Sequence, residues 1–414
     1  MRTTDRERPG CPASSEARDD RLDECVASDS AHNVIVYFSS VPSVISTTME
    51  DGSTIRGDSG QSGAPADIPA MPRVSIGLPV FNGERWLAES VDSLLSQTFS
   101  DFELIICDNA STDSTEEIGR RYAQQDPRVR YMRNVSNIGG MRNANLTFEL
   151  ARGEYFRWAA SDDRAAPTLL ERLVHELDTR PDVVAAVSPS IAIDHRGERL
   201  PYFYVGKAEG KLLSRGRNDP PLMTDASGVR YPTEGTAGRP SRRFRELMLT
   251  RGPCEASYGL IRSDVLRRTR VHQPYTCSDV VMLGELALHG PVFIIDEPLF
   301  FKRWHASNHC KERGPGRMVW SRPDLAVSGQ TTLPHWLQLW GWISAILRAK
   351  HLPFSERVRC GASTIRFIKS DCKALAWDVG SAAVMTMHSR EWRRRCYAAE
   401  NWTLAEEPTS STAV

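Results

Sequence analysis

Asp162 and Asp163 are adjacent carboxylates, placed shortly after the strand-like run at residues 155–158. Neighbouring side chains on a strand point to opposite faces, but a turn at the strand's end can aim both at one ligand. Carboxylates repel the closely spaced anions of a nucleotide diphosphate unless a hard divalent cation takes oxygens from both. Such a cation also stabilises the charge that builds on a departing diphosphate. The plainer alternative is a solvated turn that caps a helix beginning near Pro167 and Thr168, and for an isolated pair that alternative prevails. Position reverses the balance, because the pair follows the fourth strand-like run of an alternating series. Asp108 ends another apolar run, 102–107, where a carboxylate can accept from a base N–H or a ribose hydroxyl. Its neighbours Asn109, Ser111, Thr112 and Asp113 would serve equally in a capping turn. Asp279 opens the helical run 278–289, where a carboxylate could take the proton of an attacking hydroxyl. Ser278 and Asp279 are also ordinary helix-capping residues, worth about 1 kcal/mol, and the helix dipole would lower the basicity of Asp279. Glu285, further along the same helix, is the alternative base and is expected to be a surface or structural group.

The elements that must position these groups follow from the hydrophobic periods. Residues 74–80, 102–107, 129–132, 155–158 and 183–187 read as strands. Between them, 86–95, 116–122, 145–151 and 168–179 have helical spacing, with Ser111 or Thr112 as the cap of the second. Strand–helix alternation predicts an α/β fold, a mostly parallel sheet covered by helices on both faces. Ligands of such sheets gather beyond the carboxyl ends of the strands, where Asn82, Asp108 and Asp162-Asp163 fall. Residues 206–241 read as a long mobile loop, 292–295 as a further strand and 333–383 as helical.

Bulk properties exclude several classes. Lys plus Arg and Asp plus Glu each total 52 in 414 residues, so no global field draws the chain to nucleic acid or membrane. The 9 cysteines form no CxxC pair or zinc array, and an odd count argues against a disulfide framework. A reducing cytoplasm is the expected setting. No signal peptide is evident, and no run of about 18 apolar residues predicts a membrane span. Residues 1–72 have the Asp-, Arg-, Ser-, Gly- and Pro-rich composition of a disordered tail, apart from the apolar patch 34–38. Met71, two residues before the first strand, would make a natural start.

The run Val-Ser-Ile-Gly-Leu-Pro-Val-Phe-Asn-Gly-Glu (74–84), Ser-Gln-Thr-Phe (96–99) and Leu-Ile-Ile-Cys-Asp-Asn-Ala-Ser-Thr-Asp (104–113) resembles the opening of family 2 glycosyltransferases of the GT-A fold. Asn137-Ile-Gly139, Arg142-Asn143 and Gly153-Glu-Tyr155 continue the resemblance in order up to Asp162-Asp163, and it extends over about 73–310. The resemblance implies transfer of a sugar from a nucleotide diphosphate donor, a uridine diphosphate sugar first, to a hydroxyl of a glycan or lipid-linked glycan. It implies inversion at the sugar and a divalent metal, manganese or magnesium. Pro79, Phe81, Asn82 and Glu84 would lie around the nucleotide, with Asp108 on the base and Arg142 near the base or diphosphate. Asp162 would sit near the ribose or metal, Asp163 on the metal, and His305 on the metal or diphosphate, with His309 a competing choice. Asp279 would be the catalytic base and Glu255 an acceptor contact. The family's acidic–x–acidic triplet appears here as Ala160-Ser161-Asp162-Asp163, which leaves the division of labour between the two aspartates open. The implied layout is a catalytic domain over 73–310, divided near residue 200 into nucleotide-sugar and acceptor halves, then a linker (311–332), a helical extension (333–400) and a tail.

Over 348–397, eleven Lys or Arg stand against four Asp or Glu, leaving about seven positive charges. With the interleaved tryptophans, the extension could rest on an anionic membrane at the cytoplasmic face. A helical cap packed on the catalytic domain is the more ordinary reading. The Arg-rich stretch 239–251 could likewise meet an anionic acceptor or simply be a solvated face. Two other classes stand against a sugar transferase. A nucleotidyltransferase should carry a Gly-rich, Lys-bearing phosphate loop near its first strand, and 77–85 have none. A non-catalytic nucleotide-sugar binder would need the pocket but no base.

Overall fold

The computed structural model describes residues 34–36, 71–200, 223–224, 230–231, 238–248, 255–305 and 316–390. Its strands are β1 (Val34–Val36), β2 (Val74–Val80), β3 (Phe102–Asp108), β4 (Val129–Asn134), β5 (Tyr155–Trp158), β6 (Arg164–Ala165), β7 (Ala185–Val187), β8 (Ser190–Ile193), β9 (Met223–Thr224), β10 (Arg230–Tyr231), β11 (Leu260–Arg262), β12 (Val292–Ile294) and β13 (Phe300–Arg303). Its α-helices are α1 (Leu87–Leu95), α2 (Thr115–Gln125), α3 (Gly140–Glu149), α4 (Leu169–Thr179), α5 (Pro240–Met248), α6 (Ser263–Leu266), α7 (Ser278–His289), α8 (Gly316–Ser321), α9 (Asp324–Ser328), α10 (Pro334–Arg348), α11 (Phe354–Ser370) and α12 (Cys372–Met387).

The main sheet has the order β1-β4-β3-β2-β5-β11-β7-β12. Strands β4, β3, β2 and β5 run parallel, as do β7 and β12. β11 is antiparallel to both β5 and β7, and β1 is antiparallel to β4. This is the mostly parallel α/β sheet expected from the alternation. β2 and β3 lie at its centre, and nearly every residue of both is buried, which is why they read as mostly apolar runs rather than alternating ones; the buried Ser75 donates to Glu103. The apolar patch expected to stand out from the N-terminal tail supplies β1; the rest of residues 1–70 lies outside the described residues.

A second, three-stranded sheet, β6-β13-β8, was not legible from periodicity. It matters because β13 leads directly into His305. Helix α3 begins at Gly140 rather than near Asn145, because Gly139 turns the chain with φ +92°, a conformation that favours glycine. Part of the stretch expected as an Arg-rich loop is helix α5, held by Phe244, Leu247 and Met248 in the core.

The C-terminal helices are packed against the core of the α/β sheet. Trp342 of α10 is fully buried, and a Cβ on Gly284 of α7 would lie 2.3 Å from its ring. Trp342, Cys360 and Phe367 share one apolar cluster with Phe156, Val187 and Leu286. Removing an aromatic side chain from such a site costs about 3–5 kcal/mol, so the extension and the sheet stabilise one another.

Candidate functional site

Helices α1, α2 and α3 each leave the carboxyl end of a parallel strand, β2, β3 and β4. α7 leads into the amino end of β12, so its first turn lies at the same edge. Four helix amino termini therefore converge on one rim. Each carries partial positive charge, which favours a phosphate.

The loops after β2 and β3 clasp each other through side chains. The Asn82 N–H donates to Ser111 Oγ at 2.9 Å, and Asn82 Oδ1 accepts from the Thr112 N–H at 2.8 Å. Gly83 N–H donates to Thr115 Oγ1 and Glu84 N–H to Asp113 Oδ2. Glu84 Oε2 accepts from Ser114 N–H at 3.0 Å, and Asp113 Oδ1 from Thr115 N–H. α2 is thus capped from across the rim and from Asp113, rather than by Ser111 or Thr112. Asn82 and Glu84, expected around the nucleotide, have side-chain oxygens engaged in holding this clasp. Pro79 is half-buried at the end of β2, and Phe81 stands exposed beside it.

Asp108 was expected on the base. It is fully buried at the end of β3, accepting from Tyr131 Oη at 2.6 Å, Arg133 Nη1 at 2.6 Å and the Ser111 N–H at 2.8 Å. Three donors on one carboxylate, one of them cationic, leave it a positioning role: it fixes Arg133, whose Nη2 donates to Ser111 O at 2.8 Å. Burial, followed by the hydrogen bond to Asp108, pushes the Tyr131 hydroxyl far above its usual range. Beside it, Asn134 Nδ2 donates to Asn109 Oδ1 and Asn143 Oδ1, and Asn143 Nδ2 donates to Cys107 O at 2.7 Å. Asn109 Oδ1 also accepts from the Ile138 N–H. This buried asparagine network ties β3, β4 and α3 together. Of its members only Asn109 and Asn143 stood in recognisable motifs.

The turn after β5 is organised around Arg303, which is almost fully buried. Its guanidinium donates to Asp162 O at 2.7 Å and to Glu89 Oε2 at 2.7 Å, and its backbone N–H donates to Asp163 Oδ1 at 2.8 Å. Asp163 is 5% exposed and turned into the protein. There its charge opposes the burial that lowers the Arg157 guanidinium to about 10. Of the two aspartates whose division of labour the sequence left open, Asp163 is the one engaged by the Arg303 backbone. Asp162 takes the outward position. Its side chain is a quarter exposed, and its Oδ2 lies 2.9 Å from Nε2 of His305. The His305 ring packs on Trp86, with centroids 4.2 Å apart, and Trp86 Nε1 donates to His195 O.

A carboxylate and an imidazole nitrogen side by side fit two positions of a divalent cation's shell. Among the described residues no group of three His, Cys, Asp or Glu is suited to hold a metal. A cation seated here would draw its remaining oxygens from diphosphate and water, as magnesium commonly does.

Asp279 lies in the first turn of α7, partly exposed, with Cys277 in the left-handed conformation as the preceding cap (φ 65°). Ser278 is buried, and its Oγ lies 3.6 Å from the sulfur of Met141 in the first turn of α3. Asp279 and Arg142 are therefore on neighbouring helix starts. Arg142 is exposed; the Arg322 hydrogen bond first, and more weakly the charge of Arg142, hold Asp324 below the usual carboxylate range. Glu285 is a structural group, 3% exposed, accepting from Arg348 at 2.6 Å and from the Arg270 N–H. Glu255 opens the 3-10 turn Glu255–Tyr258 just before β11; its side chain and all of His309 lie outside the described residues.

Residues 75–238 match the model of glycosyl transferase family 2. EpsE of Bacillus subtilis (strain 168) is 30% identical over 181 residues, 43% of this chain and 65% of EpsE. Glycosyltransferase GlyG of Streptococcus pneumoniae serotype 4 is 32% identical over 132 residues, 32% of this chain and 43% of GlyG. The chain spans 31 to 65% of the length of these and similar curated relatives. Among solved structures, S. aureus TarS 1–349 in complex with UDP-GlcNAc aligns with a TM-score of 0.42 at 14% identity, over 79% of this chain and 91% of that one.

Proposed function

We propose that the protein, whose residues 75–238 match the model of glycosyl transferase family 2, transfers a sugar from a nucleotide diphosphate donor to an acceptor hydroxyl. The donor's diphosphate lies on the rim where α1, α2, α3 and α7 begin, with the base beside Pro79 and Phe81. Arg142, exposed on the first turn of α3, is placed for the diphosphate. Asp162 and His305 would hold a divalent cation, which supplies charge neutralisation on the leaving diphosphate. Asp163 and Arg303 orient that pair without touching the donor. Asp279 accepts the proton of the acceptor hydroxyl as oxygen attacks the anomeric carbon from the side opposite the diphosphate, which inverts the sugar. Uridine diphosphate is the first nucleotide to test, and a glycan or lipid-linked glycan, met near Glu255, the acceptor.

What supports this reading is the pair of a partly exposed Asp162 and the buried His305 beside it, held on a buried arginine framework at the rim where four helix starts converge. The test is a transfer assay over a panel of nucleotide sugars, with and without chelator. Asp279→Asn should reduce transfer by about 10²–10⁴-fold while a donor with manganese still raises the melting temperature. Undiminished transfer by that variant removes Asp279 from the chemistry.

A further inference from the structure

Helix α11 has three different faces. Glu356, Cys360, Ser363, Thr364 and Phe367 are buried against the body of the protein. On the opposite side, at three- and four-residue spacing, stand Phe354 (74% exposed), Val358 (54%), Ile365 (55%) and Ile368 (40%). Gly361 continues that stripe, with open space where a Cβ would be. A helix that needed only to cap the catalytic core would present polar residues there. The apolar stripe is flanked by cations: Arg357 lies over the Phe354 ring on one side, and Arg359, Arg366 and Lys369 follow the other.

The second observation shares Arg359 and Arg366 with the stripe's border and adds α5. Between α5 and α11 runs a groove lined by Arg239, Arg242, Arg245, Arg359 and Arg366. Glu246 answers Arg242 and Glu356 answers Arg359, so positive charge prevails. No helix among the described residues is long and apolar enough to cross a membrane.

We propose that this face docks on an anionic lipid bilayer. The stripe enters the boundary between headgroups and acyl chains, and the arginines of the groove take lipid phosphates. The charge pattern selects this occupant: an apolar ridge bordered by cations on both sides matches a surface that is apolar below and anionic above. A second protein copy would present the same cations and repel. The bound face is linked to the site, because α11 packs on α5 and α10, and both pack on α7, whose first turn carries Asp279.

The test is co-sedimentation of the full chain with vesicles of phosphatidylcholine alone or with added phosphatidylglycerol. It reads binding without any transfer chemistry and so stands apart from the sugar-transfer reading. Binding should require phosphatidylglycerol and weaken as salt rises. Val358→Glu with Ile365→Glu, and separately Arg359→Gln with Arg366→Gln, should each lower it by about tenfold or more. All four side chains are exposed, so melting temperature and donor hydrolysis should not change. Equal binding to both vesicle types, or unchanged binding by the charge-inserted variant, overturns the proposal. So does a dimer in light scattering that Val358→Glu with Ile365→Glu dissolves, since the stripe is then an interface between copies.

Discussion

The ends of β3 and β5 open on the same rim, two strands apart, and each offers an aspartate; they use it in opposite ways. Asp108 is fully buried and saturated by Tyr131, Arg133 and Ser111. Asp162 keeps a quarter of its side chain in solvent and meets His305. A carboxylate at a ligand edge is thus not automatically a ligand group. Donors contributed by neighbouring strands decide whether it holds the scaffold or faces the substrate. The same sorting separates Asp162 from Asp163, whose partner is the backbone of Arg303.

Breaking the buried member should produce the largest effect. Asp108→Ala removes the anion from an ion pair and leaves Tyr131 and Arg133 without their acceptor, a loss of about 3–5 kcal/mol. Urea unfolding should register it directly, and a change below about 1 kcal/mol would mean that Asp108 is not structural. Asp162→Ala should do the reverse. Stability should move by no more than about 1 kcal/mol, while metal-dependent transfer falls on the order of 10²-fold. If its stability loss matches that of Asp108→Ala, the contrast between the two ends fails.

A smaller effect sharpens the β5 end. His272 packs on Trp158, with ring centroids 4.4 Å apart, and burial lowers its pKa from 6.5 to about 4. Unfolded chains take up that proton near pH 6.5, whereas the folded protein refuses it until about pH 4. Stability should therefore fall as pH drops through this window and level off below it. His289, also lowered to about 4 by burial and then by the nearby His351, adds a loss of the same sign. Thermal melts from pH 7 to pH 4 should show the decline, and His272→Gln should make it shallower; an unchanged slope places the effect elsewhere.

Much of the fold was legible because it is encoded locally. The mostly apolar runs of β2 and β3 and the helical spacing of α1 and α4 each carry their own signal, whereas the start of α3 at the Gly139 turn was missed. The sheet β6-β13-β8 carried none, since β6 is two residues long and β8 and β13 are four each, too short for a period to show. For the site, sequence placed Asp108, Asp162, Asp163 and Asp279 at strand ends or a helix start, which is where they are. It missed Arg303, Tyr131 and Asn134, because a residue that acts by holding another has no motif of its own.

Strand order along the chain, the edge at which acidic groups gather and the cationic character of the last helices follow from residue types and spacing, because period and charge are properties of neighbours. Which aspartate faces outward is set by partners 23 and 25 positions away for Asp108 and 143 for Asp162. Only the packed sheet brings those partners within hydrogen-bond reach, so availability for chemistry was decided in three dimensions.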